Sequence, residues 1–407
     1  MRRRLAALAV LALAGALATA CAAMAASKRP PLPVAELLLV GFRGTEIEGN
    51  EEVQRLVCEV KVGGVIVFER DVATGAPRNL VSPEQVIRLT ADLQALARRC
   101  VGRPLFIAAD AEGGQVMRLS PRLGYLPSPS ARELGELGDV ARTEVEARRM
   151  GAMLREAGIN WNLAPVVDVA VNPLNPAVVA LGRTFSADPR QVIAHARAFI
   201  LGMREAGVLT TLKHFPGHGS SLRDSHAGFT DVTDTADLKV ELAPYRALIK
   251  AGLADSVMTA HVFNKGLDPW DPATLSRYTV NRILRGRFGY KGVVVSDDLL
   301  MGAIIQHYGL EDAAVKALGA GVDVLLISQN AKKGEILAAE RVVEAINRAL
   351  AQGWLSRSRI VNALDHVKAL RTRLAPATGS VSVTTTIGAG GTASSGTVGA
   401  GTGTSVP

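Results

Sequence analysis

The sequence predicts an α/β fold, a single-domain (β/α)8 barrel of the TIM type. Eight apolar runs rich in Val, Ile and Leu alternate with segments of helical periodicity, a pattern typical of parallel strands buried on both faces. Polar residues directly follow several of these runs, and the carboxyl ends of barrel strands are where such folds carry their sites. Both features fall within residues 35–373, which we assign to the barrel.

Each predicted element has a simple sequence basis. The strands are short runs of β-branched and aliphatic residues at 36–42, 64–68, 105–110, 159–166, 209–215, 256–261, 292–297 and 322–328. The helices show apolar residues three and four positions apart at 84–97, 131–157, 188–206, 237–251, 281–288, 311–320 and 335–352. Several begin after a capping residue, such as Ser82.

Residues 1–26 resemble an export signal. Three arginines precede an apolar run, 5–17, that is too short to span a bilayer. Small residues then lead to Cys21, as in a bacterial lipoprotein cleavage box, although Leu17 lies one position farther from the Cys than usual. A simple cleaved leader and an acylated Cys21 both remain open. We therefore expect an exported protein, either periplasmic or anchored to a membrane as a lipoprotein.

Two further segments flank the predicted barrel. Residues 27–34 form a Pro-rich linker, and residues 374–407 contain no charged side chain. Because a tail of Gly, Thr, Ser, Ala and Val buries too little apolar surface to offset its ordering entropy, we expect this tail to be disordered.

Composition and charge limit the classes of function. The chain has 407 residues, of which 48% are hydrophobic and 21% charged, enough apolar content for a packed core. The formal net charge is +8, but the basic residues are scattered without an aromatic platform, so no nucleic-acid partner is expected. We expect a monomer. Cys58 and Cys100 could form a disulfide in an oxidising compartment or remain as two buried thiols.

The most informative motif follows the fifth predicted strand. It reads KHFPGHG at 213–219, and the sequence DSH follows at 224–226. Three of the seven histidines of the chain therefore lie within one short segment. The cluster could be a catalytic site, a polar loop whose histidines only satisfy hydrogen bonds, or a metal site. The candidate metal ligands are His214, His218, Asp224 and His226.

A second polar motif, SDDL at 296–299, follows the seventh predicted strand. We expect the strand to place one carboxylate of the pair Asp297 and Asp298 inside the mouth of the barrel and the other away from it. A buried carboxylate near a positive group stays ionised and can act as a nucleophile. The alternative is structural, with Asp298 capping a helix and Asp297 in a salt bridge.

Two weaker motifs supply candidate binding residues. Asp110 ends the third predicted strand and begins the sequence DAEGGQVMR, which ends at Arg118. The two glycines in it would let a ligand approach the backbone. Arg183 lies in the sequence GRTFSADP at 182–189 and could donate hydrogen bonds to a ligand.

Together the four motifs resemble glycoside hydrolase family 3, in particular its bacterial single-barrel β-N-acetylglucosaminidases. The resemblance covers roughly residues 35–370 and is most specific in KHFPGHG and DSH. It implies that Asp297 is the nucleophile and that His226, polarised by Asp224, is the general acid and base. It implies no metal and no other cofactor. The substrate-binding residues that it implies are Asp110, Arg118, Arg183, Lys213 and His214.

The resemblance also implies a reaction. Such an enzyme releases terminal β-linked N-acetylglucosamine from peptidoglycan fragments or chitin-type oligosaccharides, with retention through a covalent glycosyl-aspartate intermediate. A carbohydrate is thus the expected partner. Phosphorolysis of the same bond and metal-dependent hydrolysis by the histidine cluster remain as alternatives. A non-catalytic sugar-binding barrel is disfavoured because Asp224, His226 and Asp297 are all intact.

Overall fold

The computed structural model describes residues 30–329 and 337–374. The predicted export signal at 1–26, residues 27–29 of the predicted linker and all but the first residue of the predicted tail lie outside these residues. Among the residues described, no helix is long and apolar enough to cross a membrane.

All eight predicted strands are present, and each is parallel to its neighbours. Their bounds are β1 Leu38–Gly41, β2 Gly64–Ile66, β3 Phe106–Ala109, β4 Trp161–Asn162, β5 Thr211–Phe215, β6 Ser256–Thr259, β7 Val293–Ser296 and β8 Leu325–Ile327. Five strands form one sheet in the order β8-β1-β2-β3-β4, and three form a second sheet in the order β7-β6-β5. The predicted α/β class is therefore confirmed.

Single parallel bridges join the two sheets at both of their edges. Trp161 of β4 pairs with Leu209, just before β5, and Val295 of β7 pairs with Val324, just before β8. The amide of Asn162 also donates a hydrogen bond of 2.8 Å to the carbonyl of Leu209. Because all eight strands run in the same direction, their carboxyl ends lie on one side of the two sheets.

Helices fill the connections between the strands and lie close to the predicted segments. Each of the seven predicted helical segments contains helix. The main helices are Pro83–Val101, Ala131–Leu137, Val140–Glu156, Pro189–Glu205, Leu238–Glu241, Ala243–Lys250, Tyr278–Arg287, Leu310–Ala320, Ala338–Ala351 and Arg357–Arg371, with short turns of helix at Val34–Leu37, Glu51–Gln54, Arg55–Val60, Pro121–Leu123 and Gly302–Ile305.

Two predicted helices are each divided in two. The segment 131–157 breaks at Gly138, which is left-handed at φ 69°, and Asp139 then caps the next helix through the amide of Arg142. The segment 237–251 is divided just before Pro244, which has no amide hydrogen to continue a helix.

Three helical segments differ from the prediction in another way. Arg55–Val60 and Tyr278–Arg287 are π-helical, a form that periodicity does not reveal. Arg357–Arg371 lies outside every predicted element, although Ser356 caps it in the usual manner by accepting a hydrogen bond from the amide of Arg359.

The core is built from the strands and the inner faces of the helices. Side chains of every strand are buried, as expected for strands covered on both faces. A disulfide joins Cys58 to Cys100 across 42 residues, so the first of the two alternatives for these cysteines is the one observed. It ties Arg55–Val60 to the end of the helix Pro83–Val101.

Candidate active site

Four of the predicted site residues lie at the carboxyl ends of three strands. Asp110 directly follows β3, Lys213 and His214 lie within β5, and Asp297 directly follows β7. Since parallel strands end on the same side of a sheet, the fold directs these residues toward one surface. The hydrogen bonds and ion pairs of each residue limit the chemistry that it can perform.

Lys213 is the centre of a buried ionic network. Its ammonium Nζ lies 3.0 Å from Asp110 Oδ1 and 2.6 Å from Glu112 Oε1. Arg118 Nη2 lies 3.2 Å from the other carboxylate oxygen of Asp110. Burial tends to raise the pKa of Asp110, but the positive charges of Lys213 and Arg118 outweigh it and hold the pKa far below its usual range.

Arg183 joins the same network through Glu112, the carboxylate that it shares with Lys213. Its guanidinium forms a bidentate pair with the carboxylate of Glu112, with N–O distances of 2.8 and 2.9 Å. Its Nη1 donates to the carbonyl of Ala177 at 2.9 Å. Burial alone would raise the pKa of Glu112, but Arg183 and Lys213 lower it to about 2, so this carboxylate stays ionised.

His214 is held by a buried carboxylate, Asp168. Its Nδ1 lies 2.7 Å from Asp168 Oδ2, and its amide donates to Oδ1 at 3.1 Å. Arg183 Nη2 lies 3.3 Å from His214 Nε2. The contacts to Asp168 and Arg183 use both ring nitrogens and hold the imidazole of His214 in a fixed orientation.

Asp297 and Asp298 have different partners although they are adjacent. Asp297 donates its amide to the carbonyl of Thr259 on β6 at 3.2 Å, and its Oδ1 accepts from the amide of Asp298 at 2.8 Å. The carboxylate of Asp298 instead accepts hydrogen bonds from the amide and the hydroxyl of Ser328, just after β8, and from the amide of Leu300. The second carboxylate is thus committed to holding the loop.

The charge states of these two carboxylates also differ. Burial tends to raise the pKa of Asp297. The imidazoles of His261, His214 and His226 favour the ionised form more strongly, so that the pKa lies below its usual value of 3.8. Burial dominates for Asp298 and raises its pKa. Asp297 is therefore the carboxylate of the pair that is suited to nucleophilic attack.

Asp224 and His226 form a pair on an exposed turn. His226 Nδ1 lies 2.7 Å from Asp224 Oδ1, and the His226 amide donates to the same oxygen at 2.9 Å. The side chain of His226 is 64% exposed. The carbonyl of His226 accepts a hydrogen bond of 3.3 Å from the amide of Gly302, in the loop that follows Asp297. The pair thus lies against the segment that carries the candidate nucleophile.

The histidines of the cluster each have a partner other than a metal. Asp168 binds His214, Asp224 binds His226, and the hydroxyl of Ser225 lies 3.0 Å from His218 Nε2. Across residues 30–329 and 337–374, no group of three or more His, Cys, Asp or Glu side chains is arranged to hold a metal ion.

Three residues of the site are absent from the predicted set: Glu112, Asp168 and His261. Glu112 lies inside the predicted motif DAEGGQVMR. It could have been found by asking which carboxylate pairs with Lys213 and Arg183, because buried cations need such partners. His261 ends a predicted strand and bonds the carbonyl of Asp298 at 2.9 Å through Nε2. Asp168 is a single acidic residue between two valines, which no motif marks.

Comparisons of this chain with a family model and with known proteins point to the same family. The model of the glycosyl hydrolase family 3 N-terminal domain matches residues 32–370. A beta-hexosaminidase of Alkalilimnicola ehrlichii is 33% identical over 350 residues, which cover 82% of this chain and 95% of that protein. Beta-hexosaminidase A of Pseudoalteromonas piscicida is 32% identical over 351 residues, again 82% of this chain, but this chain spans only 57% of its length.

A solved structure agrees with these relatives. The glycoside hydrolase family 3 beta-N-acetylglucosaminidase from Paenibacillus sp. str. FPU-7 superposes with a TM-score of 0.78 at 36% sequence identity. The match covers 89% of this chain and 66% of that structure.

Proposed function

Because the chain belongs to glycosyl hydrolase family 3, we propose that it is a retaining β-N-acetylhexosaminidase that releases terminal β-linked N-acetylglucosamine. One observation carries the proposal: the turn that holds the Asp224–His226 pair is hydrogen-bonded to the loop that follows Asp297, the carboxylate at the end of β7. A retaining glycosidase needs such a nucleophile and a proton donor. The relatives support the sugar, since two are beta-hexosaminidases and one is a beta-N-acetylglucosaminidase.

In the first step Asp297 attacks the anomeric carbon and forms a glycosyl-aspartate. The bond to the leaving oxygen breaks, and Nε2 of His226 gives that oxygen its proton. Asp224 binds Nδ1 at 2.7 Å, so it fixes the orientation of the ring and stabilises its charged form.

In the second step Nε2 of His226 accepts a proton from water. The water oxygen bonds to the anomeric carbon as the carboxylate of Asp297 departs, and two inversions leave the sugar with its original β configuration. A histidine suits both steps because its ordinary pKa lies near neutrality.

The buried network supplies the binding groups. We assign hydrogen-bond donation to sugar hydroxyls and carbonyls to Arg118, Arg183 and Lys213, and acceptance to Asp110. Each of the three cations is already paired with a carboxylate, so its position is set before the substrate arrives. Such preorganisation reduces the cost of ordering the site on binding.

The fold that we propose for this site is a closed (β/α)8 barrel. The single bridges at β4–β5 and β7–β8 support closure, because they connect both edges of the five-stranded sheet to the three-stranded one. In such a barrel the carboxyl ends of the strands line the mouth, where the activity is carried.

The acceptor molecule and the natural glycan are two further parts of the proposal. We propose water as the acceptor, and peptidoglycan fragments or chitin-type oligosaccharides as substrates. Phosphate is the competing acceptor, because an imidazole repels it less than a carboxylate would. Product analysis in the presence and absence of inorganic phosphate distinguishes them, since phosphorolysis yields a sugar phosphate.

We also propose that the protein is exported and acts as a monomer. The disulfide between Cys58 and Cys100 supports export, because disulfides persist in oxidising compartments. Membrane anchoring through Cys21 is tested by incorporation of a labelled fatty acid, which Cys21→Ala should abolish. Size-exclusion chromatography with light scattering tests the monomer.

Turnover of 4-nitrophenyl N-acetyl-β-D-glucosaminide, beside the plain β-glucoside, tests the function. We expect rapid release of nitrophenol from the first compound and far slower release from the second. Proton NMR during turnover should show the β-anomer of the free sugar first. Initial formation of the α-anomer would contradict the two-step mechanism.

A further inference from the structure

The exposed Asp224–His226 turn has a buried residue at its centre. Ser225 is 1% exposed, although the residues on either side of it face solvent. Its hydroxyl oxygen lies 3.0 Å from Nε2 of His218, which is itself 3% exposed. A buried side chain between two exposed ones indicates an anchor rather than a solvent-facing loop.

His218 is fixed at its backbone as well. Its amide donates to Asp168 Oδ1 at 2.9 Å, and its carbonyl accepts from Asn175 Nδ2 at 2.7 Å. Asp168 is also the carboxylate that binds His214. His218 therefore connects the loop just after β5, where its backbone is held, to the turn that its imidazole contacts.

The turn is held on its other side by the loop after Asp297. The amide of Ala303 donates to the carbonyl of Ser225 at 3.2 Å, and that of Gly302 donates to the carbonyl of His226 at 3.3 Å. A Cβ at position 302 would lie 2.9 Å from the His226 carbonyl oxygen, so the two segments are in close contact.

The direction of the His218–Ser225 bond follows from its surroundings. Nδ1 of His218 is buried and has no hydrogen-bond partner in the part of the chain that the structure describes. Burial lowers the pKa of His218 to about 4, so the ring carries one proton near neutral pH. An unpaired buried N–H donor is costly, which places this proton on Nε2, where it is donated to the Ser225 hydroxyl.

We propose that His218 is a positioning residue that, through Ser225, holds the Asp224–His226 pair in place for proton transfer. This inference rests on the proposed role of His226 as acid and base. The bond to Asp224 orients the His226 ring within the turn, but it does not fix the turn relative to Asp297. The amides of Gly302 and Ala303 hold the backbone of the turn against the loop after Asp297, and the hydroxyl of Ser225 adds a side-chain anchor to His218.

The experiment compares two substrates with different leaving groups. In N,N′-diacetylchitobiose the leaving group is a hydroxyl oxygen of the second sugar, which needs protonation by His226. In the aryl glycoside 4-nitrophenolate leaves largely unaided. For Ser225→Ala and for His218→Ala we expect kcat/KM to fall about fivefold to tenfold on the disaccharide, the effect of about one hydrogen bond, and less than about twofold on the aryl glycoside. The double variant should lose no more than either single variant.

Conservative replacement sharpens the test. The side-chain amide of glutamine can place a donor near the position of Nε2, so His218→Gln should recover most of the loss on the disaccharide. A role of His218 in stability alone would not produce recovery on one substrate only. If His218→Ala fails to fold, Ser225→Ala, which removes one hydroxyl, still decides the question.

The chain offers a matched control in His195 and Thr143. His195 is also buried, its Nδ1 lies 2.8 Å from the Thr143 hydroxyl, and its Nε2 has no hydrogen-bond partner within the described residues. This pair joins the helices Val140–Glu156 and Pro189–Glu205 to each other, whereas the bond between His218 and Ser225 holds the turn that carries His226. Thr143→Ala should lower the melting temperature without changing the ratio of kcat/KM between the two substrates.

Failure of the inference and failure of the proposed function give different results. If His226→Ala loses far more activity on the disaccharide than on the aryl glycoside, but Ser225→Ala loses both equally, the anchor is wrong and the acid role stands. Additive losses in the double variant would overturn the anchor in the same way. If His226→Ala shows no such substrate difference, the acid role and the anchor both fall.

Discussion

Two Asp–His pairs lie near the ends of the strands with the same geometry in opposite surroundings. In both Asp168–His214 and Asp224–His226, a carboxylate oxygen lies 2.7 Å from Nδ1. The side chain of His214 is only 7% exposed and that of His226 is 64% exposed. The bond to a carboxylate is the same in both pairs, so it cannot by itself determine whether the imidazole binds or transfers a proton.

The difference lies in what the second ring nitrogen can reach. Nε2 of His214 is occupied by its contact with Arg183 and is buried. The ring of His226 is exposed, so its Nε2 can exchange a proton with a substrate or with water. Burial thus makes one pair a rigid part of the binding network and leaves the other available for proton transfer.

The largest effect is expected at Asp297, the carboxylate that the exposed pair would serve. Asp297→Ala removes the proposed nucleophile, and kcat should fall by about 1000-fold or more, whichever leaving group is used. Melting should still be cooperative, because the network around Lys213 is intact. A variant with more than about a tenth of wild-type turnover would exclude Asp297 as the nucleophile.

Asp224→Asn tests the exposed pair. Asparagine cannot stabilise the charged imidazole, so kcat/KM should fall on the order of 100-fold for a disaccharide and much less for an aryl glycoside with a good leaving group. The free energy of unfolding should change by less than about 1 kcal/mol, because the pair is exposed. A large loss of stability with equal losses on both substrates would remove the distinction between the two pairs.

Asp168→Asn makes the same substitution in the buried pair and should affect the fold instead. Asp168 accepts hydrogen bonds from His214 and from the amide of His218, and an uncharged amide replaces that charge poorly. We expect the free energy of unfolding in urea to fall by about 2 kcal/mol. Unchanged stability would mean that the buried carboxylate does not hold the network.

The smallest effect concerns Glu241, a buried residue whose pKa is influenced by the charge of Asp168 in the buried pair. Burial and the charge of Asp168 raise its pKa to about 8, and its carboxyl group bonds the amide and hydroxyl of Ser220. Between the ordinary pKa of 4.5 and about 8, the folded chain holds a proton that the unfolded chain has lost, so stability falls as the pH rises.

Glu241→Gln should remove that dependence. Relative to wild type, the variant should gain about 1 kcal/mol or more in unfolding free energy between pH 5 and pH 8. Urea titrations at both pH values measure the gain. Parallel pH dependence of the two proteins would show that the group titrates normally.

The sequence predicted the strands and the polar ends of several of them because both are local properties. A run such as 292–297 has three consecutive valines and then ends in Ser296 and Asp297, and the motif at 213–219 is compact. Glu112 and Asp168 were missed because their roles depend on contacts with residues far along the chain. Glu112 binds Arg183, 71 positions away, and Asp168 binds His214, 46 positions away.

The helices show the same limit. Gly138 and Pro244 end or divide helices through backbone geometry that periodicity averages out. The difference between the two Asp–His pairs could not be predicted either, because exposure of a loop residue depends on what the rest of the chain packs against it.

The configuration of the product formed by Asp297→Ala in sodium azide tests the central claim most directly. If Asp297 is the nucleophile, azide occupies the space of the missing carboxylate and attacks the anomeric carbon of an aryl β-glycoside from the opposite face. The account predicts a glycosyl azide of α configuration by NMR, with restored release of the aryl group. A β-azide would require another group to have formed the covalent intermediate and would contradict the assignment of Asp297.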